Sequence, residues 1–256
     1  MTNRIAVIAR YTVLEAVRTR VPILALTVTG ILWAASFFVR EIAITESVRF
    51  QTVFYAAAMR YACVIMMALY AIASIAREFQ DKNLDVILAL DLRRSHYILG
   101  KLSGFVSIGT VLALLVGIPL VPLAGVLPTT QWSVSLAFEL ALVGALSLFC
   151  VITFSQLMPA FSFVLSFYLL ARAITALRLI SNNPIADASA LSHRVLTGLI
   201  NALALVTPAL DNWTRTSWLV DRLAGWTELL GIGGHSILFI AIFASAAMFD
   251  MQRRNF

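Results

Sequence analysis

Charge is scarce in this chain. Only 12% of its 256 residues are Asp, Glu, Lys or Arg, against 61% apolar residues and a mean hydropathy of +0.90. A soluble domain carries about twice that share of charge, so a soluble globular fold is excluded. Cysteine is nearly absent: Cys63 and Cys150 both fall within apolar runs, which rules against a disulfide framework and leaves them as packing residues. The three histidines, His96, His193 and His235, are scattered with no cysteine or carboxylate at ligand spacing, so neither a metal site nor a catalytic triad can be assembled. A phosphate-cradling loop is missing too, because Gly100-Lys101 lacks the upstream glycine and the following Ser or Thr. The net charge of +6 does not indicate nucleic acid, since the basic residues flank apolar runs rather than forming one patch.

What is abundant is long apolar sequence. At about 20 residues per crossing, the runs at 21–39, 53–76, 102–126 and 228–249, with the 48-residue stretch at 133–180, predict six spans in an all-α integral membrane protein. The long stretch divides into two helices at a turn marked by Gln156, Met158 and Pro159. Pro119 and Pro122 predict a kink at the end of the third span, which is expected to close on Pro128. The whole of 1–256 reads as one transmembrane domain with no separate soluble unit. Residues 1–20 carry Arg4, Arg10, Arg18 and Arg20 with no small-residue cleavage site after them, so the first helix is expected to be retained. Within that segment Ala6, Ala9, Val13, Ala16 and Val17 share a face opposite Arg4, Glu15 and Arg18, predicting an interfacial helix or, alternatively, a solvated helix end.

Between the fifth and sixth spans, residues 181–227 form a mixed segment. Leu191, Val195, Leu199, Leu203 and Val206 make a stripe opposite His193, Thr197 and Asn201. Two short amphipathic helices on the outer leaflet, broken near Pro208, are expected; one further span over 190–210 is the competing reading. Trp213, Trp218 and Trp226 suit an interfacial aromatic belt. Of the 19 Lys and Arg residues, eleven fall on the side shared by the two chain ends and the 77–101 segment, and eight on the other. The positive-inside rule then places both termini in the cytoplasm.

The 77–101 segment is the most charged of the chain. Leu84, Ile87, Leu88 and Leu92 recur at helical spacing, with Glu78, Asp81, Lys82 and Asp85 on the polar side, which predicts an amphipathic helix between spans two and three that can take force from a soluble partner. This segment resembles the loop of permease subunits of type-2 ABC exporters. That loop reads as a glutamate near a second acid, then Gly-Thr-Leu-Glu, a Leu-Leu pair, Pro, a basic pair, Tyr and a terminal Gly-Lys. Glu78, Leu84, Asp85, Ile87, Leu88, Arg93, Arg94, Tyr97, Gly100 and Lys101 fit the pattern, while Gln80, Lys82, Asn83 and Asp91 depart from it. The resemblance extends to permeases associated with multi-copper enzyme maturation.

The resemblance implies a cytoplasmic coupling helix meeting an ABC ATPase through Glu78, Asp81, Lys82, Asp85, Leu88, Arg93 and Arg94. It also implies a second permease copy or paralogue, and a path lined by the first, second and fifth spans of two permeases. The chain would be no enzyme itself and would hold no cofactor, ATP and Mg being bound by the partner. Its setting would be a bacterial inner membrane, in contact with lipid and without nucleic acid. An amphipathic or hydrophobic cargo is expected. A mechanical role, passing ATPase motion to a periplasmic or membrane accessory protein without moving cargo, is the alternative.

Charged residues inside apolar runs cost about 2.5–3.5 kcal/mol each at mid-bilayer unless paired. Folding the fourth and fifth spans about the Ser155–Gln156 turn brings Glu139 and Arg172 to one depth, predicting an intramembrane salt bridge, with Arg60 as a competitor for Glu139 or a side chain that snorkels outward. An intramembrane enzyme would have only these three groups to work with. Met59, Cys63 and Met66, with Met67, share one face of the second span, a ligand type that suits Cu(I) but is equally ordinary packing. His235, following Gly231, Gly233 and Gly234, is expected at a tight helix contact.

Overall fold

The computed structural model describes residues 2–80, 94–182, 191–221 and 223–253. Those residues are almost entirely helical, with no strand among them, and six helices are long and apolar enough to cross a membrane. The helices are α1 (Thr2–Arg18), α2 (Val21–Ile42), α3 (Ser47–Gln80), α4 (Arg94–Gly117), the short α5 (Val121–Ala124), α6 (Val126–Phe154), α7 (Leu157–Asn182), α8 (Leu191–Val206), the single turn α9 (Ser217–Val220) and α10 (Trp226–Arg253).

The bundle is organised around α6, whose apolar stretch is 78% buried, whereas that of α2 is only 17% buried. Helices α3, α4 and α10 pack on α6, and α7 folds back on it. Small residues set the spacing. A Cβ on Gly109 of α4 would lie 3.1 Å from Leu140 Cβ, and one on Gly144 of α6 would lie 3.2 Å from Phe105 Cβ, so glycine at these positions lets α4 and α6 pack closely. Trp132, Tyr55, Phe105, Met59 and Met67 fill the interior.

The third crossing differs from its expected bounds. Among the described residues its helix already runs from Arg94, eight residues before the apolar run, and it carries Lys101 buried against protein. At the far end Pro119 sits in a 3₁₀ turn (Ile118–Leu120) and Pro122 opens α5, as the kink requires. The stop is Gly125, at φ 90°, a conformation open to glycine; Pro128 lies within the first turn of α6, where its missing N–H leaves no helical bond unmade. The α6–α7 turn is made by Ser155 in the left-handed conformation, φ 57°.

Beyond α7, α8 and the Leu210–Val220 stretch meet at a 61° bend around Pro208, so this segment is two short pieces rather than one straight span. Trp213 and Trp218 turn inward and are buried, and only Trp226 projects, 70% exposed, so the expected belt is reduced to one residue. The reason is that the segment folds back onto the bundle: Thr214 N–H donates to Ser135 Oγ at 2.9 Å, and Gln131 holds both the N–H and C=O of Ala224 at 3.1 Å.

Helix α1 also departs from expectation. Its inner face is Ile5, Ile8, Thr12, Glu15 and Ala16, so the face is rotated and Glu15 points toward the protein instead of away from it. A Cβ on Gly100 would fall 2.6 Å from Ile8 Cβ, and one on Gly104 2.7 Å from Thr12 Cβ; glycine at these two positions lets α1 lie directly on α4. Val7, Tyr11 and Leu14 form an outward apolar strip on the opposite side.

Candidate functional site: two buried charge clusters

Two groups of buried charged side chains lie at opposite ends of the bundle. The first stands where α1, α3 and α4 meet. Lys101, whose side chain is 3% exposed, places Nζ 2.5 Å from Glu78 Oε1, 3.0 Å from Ser74 Oγ and 3.5 Å from Glu15 Oε2. Arg77 reaches Glu15 Oε1 at 3.1 Å, Ser74 donates to Glu15 Oε2 at 2.7 Å, and Tyr97 donates to Glu78 Oε2 at 2.5 Å. Tyr70 completes the tie by donating to the Thr12 carbonyl at 2.8 Å. Two acids thus face two bases, the buried Lys101 and the half-exposed Arg77, with hydroxyls satisfying the remaining oxygens, the condition under which a buried charge such as Lys101 is tolerated.

This cluster brackets the 81–93 segment, since Glu78 precedes it on α3 and Tyr97 and Lys101 follow it on α4. Of the expected coupling residues, Glu78 is in the cluster. Arg94 donates to the carbonyls of Met251 and Gln252, neutralising the C-terminal end of α10, and so binds the chain's last helix to the start of α4. Asp81, Lys82, Asp85, Leu88 and Arg93 lie outside the described residues. Nearby, Thr153 donates to Asp250 at 2.6 Å, tying the end of α6 to α10 on the same side. The N-terminal helix and the end of α10 therefore share one side of the bundle.

The second cluster surrounds Glu139, which is fully buried. Oε1 accepts from Tyr168 at 2.7 Å and from Arg172 Nη1 at 3.2 Å, while Oε2 accepts from Thr214 Oγ1 at 2.6 Å. Arg172 also donates to the Leu210 carbonyl at 2.8 Å, and Thr175 to Asp211 at 2.9 Å. The two charges expected to meet are therefore in contact, equidistant from the Ser155 turn to within one residue. Arg60 behaves otherwise than expected. It neither pairs with Glu139 nor snorkels outward: it is 7% exposed, donates to the Thr214 carbonyl at 2.9 Å and lies 5.0 Å from the Tyr61 ring centroid. Thr214, at φ 48°, thus joins Arg60 through its carbonyl to Glu139 through its hydroxyl, and the cluster clamps α3, α6, α7 and the segment before α10 together.

Sequence reasoning missed Glu15, Tyr97, Ser74, Tyr168 and Thr214 as participants. A signal was present for the first cluster in Gly100-x-x-x-Gly104, a spacing that brings helices into close contact. In the second, where the charge pair itself was expected, no signal marked Tyr168 and Thr214, whose hydroxyls come from other segments. Met59, Cys63 and Met66 are packed in the hydrophobic core, Cys63 as a free thiol, and among the described residues no group of three or more His, Cys, Asp or Glu side chains converges. His235 is exposed on α10; the tight contact belongs to Gly233, 3.3 Å from the Phe138 ring by a Cβ placed there, whereas Gly231 and Gly234 face open space. Compared with known protein families and with curated proteins, the chain matches none.

Proposed function

We propose that this chain is the membrane-spanning permease subunit of an ATP-driven exporter of the type-2 ABC kind, working with an ATPase on a separate chain. The observation that carries the reading is the Lys101–Glu78–Glu15 cluster. It joins Glu78 and Lys101, which flank the 81–93 segment in sequence, to α1, so that force arriving through that segment would move α1, α3 and α4 together. The match of Glu78, Asp85, Arg93, Arg94, Tyr97, Gly100 and Lys101 to the family loop supports the same reading.

In this mechanism the 77–101 segment is the cytoplasmic coupling element of a bacterial inner-membrane protein with both ends inside. ATP binding by two partner ATPases draws the coupling elements of two permeases together. The motion passes through the charge cluster to α3 and α4 and opens the path between the permeases, lined by α2, α3 and α7, toward the outer side. The sparsely buried α2 and α7 offer such a path mainly apolar surface, which suits an amphipathic or hydrophobic cargo. The Glu139 cluster, tying α7 to α3 and α6, braces the outer half during that motion.

The test is co-purification of the native chain with the ATPase from its own genetic neighbourhood, combined with charge reversal at Glu78 and Asp85. Capture of the ATPase by the native chain and its loss in the reversed variants is the expected result. Failure to capture it, with an unchanged phenotype in the variants, refutes the coupling role. ATP hydrolysis coupled to an accessory protein, with no cargo moved in vesicles, would replace export by the mechanical role.

A further inference from the structure

A groove of about 110 Å³ opens where the end of α1, the start of α2 and the second half of α4 meet. Val13 and Val17 of α1, Val21 and Pro22 of α2, and Val111 and Leu115 of α4 form its walls. Ser107, the single hydroxyl in the lining, donates to the Ser103 carbonyl at 2.8 Å, so the groove offers a ligand apolar surface alone. Its rim is basic. Arg18 and Arg20 stand in the turn that joins the Val17 and Val21 walls, and Arg10 lies one helical turn before Val13 and two before Val17. All three arginines are exposed, and none has an ion pair or a side-chain hydrogen bond among the described residues. Arg20 holds a left-handed backbone, φ 60°, which glycine or asparagine adopts at lower cost, so conformation alone does not account for a cation there. Glu15, the acid of this helix, faces Lys101 and Arg77 instead.

Three unpaired cations beside an apolar slot, with no acid in its lining, select an amphiphile with a negative head. From the groove an exposed apolar strip, Val111, Leu114 and Ile118, continues along the third crossing at helical spacing. The distance from Ser107 to Ile118 is roughly 16 Å at 1.5 Å per residue, close to half of a hydrocarbon core about 30 Å thick, which is the depth of one leaflet. We propose that this groove seats an acyl chain of an anionic phospholipid, whose phosphate is held by Arg18 and Arg20 with Arg10 beside them. A zwitterionic lipid would bring its ammonium group to the same cations and be held less well. The proposal rests on the membrane-spanning fold and is independent of the permease reading, because it concerns lipid binding alone.

The experiment is native mass spectrometry of the full chain released from bilayer discs that contain equal amounts of phosphatidylglycerol and phosphatidylethanolamine. Preferential retention of phosphatidylglycerol is expected. The double variant Arg18→Gln/Arg20→Gln should lower that retention about twentyfold, at about fivefold for each cation removed from an anionic headgroup. Val111→Trp, which fills the groove from an exposed position and leaves the charge unchanged, should lower it about fivefold, since a lipid tail gains only packing over the surrounding bilayer. Arg40→Gln, at the far end of α2, should leave it unchanged. Equal retention of phosphatidylethanolamine by the native chain, or full retention of phosphatidylglycerol by the double variant, overturns the site. An equal loss in Arg40→Gln, or full retention in Val111→Trp, reduces the effect to general surface charge and overturns the groove. A lipid-free dimer that Val111→Trp splits into monomers gives the groove to a second copy and overturns the lipid assignment.

Discussion

Removing the Glu139 carboxylate should cost more than removing the guanidinium it pairs with. Glu139→Leu takes away the acceptor of three donors at once and leaves Arg172 buried with only the Leu210 carbonyl, besides leaving the Tyr168 hydroxyl unpaired and the Thr214 hydroxyl with only Ser135 Oγ at 3.3 Å. Breaking a buried ion pair from one side costs about 3–5 kcal/mol. Arg172→Leu is milder for a chemical reason: the carboxylate left behind keeps the Tyr168 and Thr214 hydroxyl donors, one on each oxygen, whereas the guanidinium orphaned by Glu139→Leu keeps a single carbonyl. Tyr168→Phe removes one hydroxyl bond, worth about 0.6 kcal/mol and at most about 1.7 between membrane helices. The expected order is therefore Glu139→Leu, then Arg172→Leu, then Tyr168→Phe. The double variant Glu139→Leu/Arg172→Leu should be more stable than the sum of its parts predicts, because it leaves no orphaned charge. Unfolding in mixed micelles with increasing SDS, followed by circular dichroism, measures all four. Additive single effects, or Arg172→Leu as the most damaging change, would refute the reasoning.

The α1 clasp makes a second expectation. Gly100→Leu or Gly104→Leu should push α1 off α4 and destabilise the fold by about 1–3 kcal/mol, while Gly30→Ala and Gly198→Ala, at helical positions facing open space, should be neutral or stabilising by up to about 1 kcal/mol. Protease cleavage at Arg10 or Arg18, rising only in the first pair, is the readout. Lys101→Met should cost about 3 kcal/mol, at the lower end for a buried pair because its acidic partners are about a fifth exposed. Pairing it with Glu78→Gln should recover part of that loss, and no recovery in SDS titration would mean the cluster does not act as a unit.

Most of the architecture was legible because a bilayer imposes a length on apolar sequence, and the runs at 21–39, 53–76 and 228–249 each lie inside an observed helix. The Glu139–Arg172 contact was legible for a related reason: a single turn at Ser155 fixes the depth of both residues. What failed depended on partners far away in the chain. Glu15 was assigned to the outward face because an acid among apolar residues reads as solvated, but its counter-charges are Arg77 and Lys101 on other helices. Trp213 and Trp218 read as membrane anchors because composition does not reveal that Ser135 and Gln131 draw their segment back onto the bundle.

The Ser155 turn also dictates an order of events during synthesis. Helix α6 emerges first, carrying Glu139 into the bilayer without a counter-charge. Arg172 is still to be made at that moment, and each charge alone carries an insertion cost of about 2.5–3.5 kcal/mol. A tight turn that brings the second helix back beside the first lets the two enter as a hairpin with their charges already joined. The contact that later braces the finished protein is then also what allows α6 and α7 to leave the translocation machinery together.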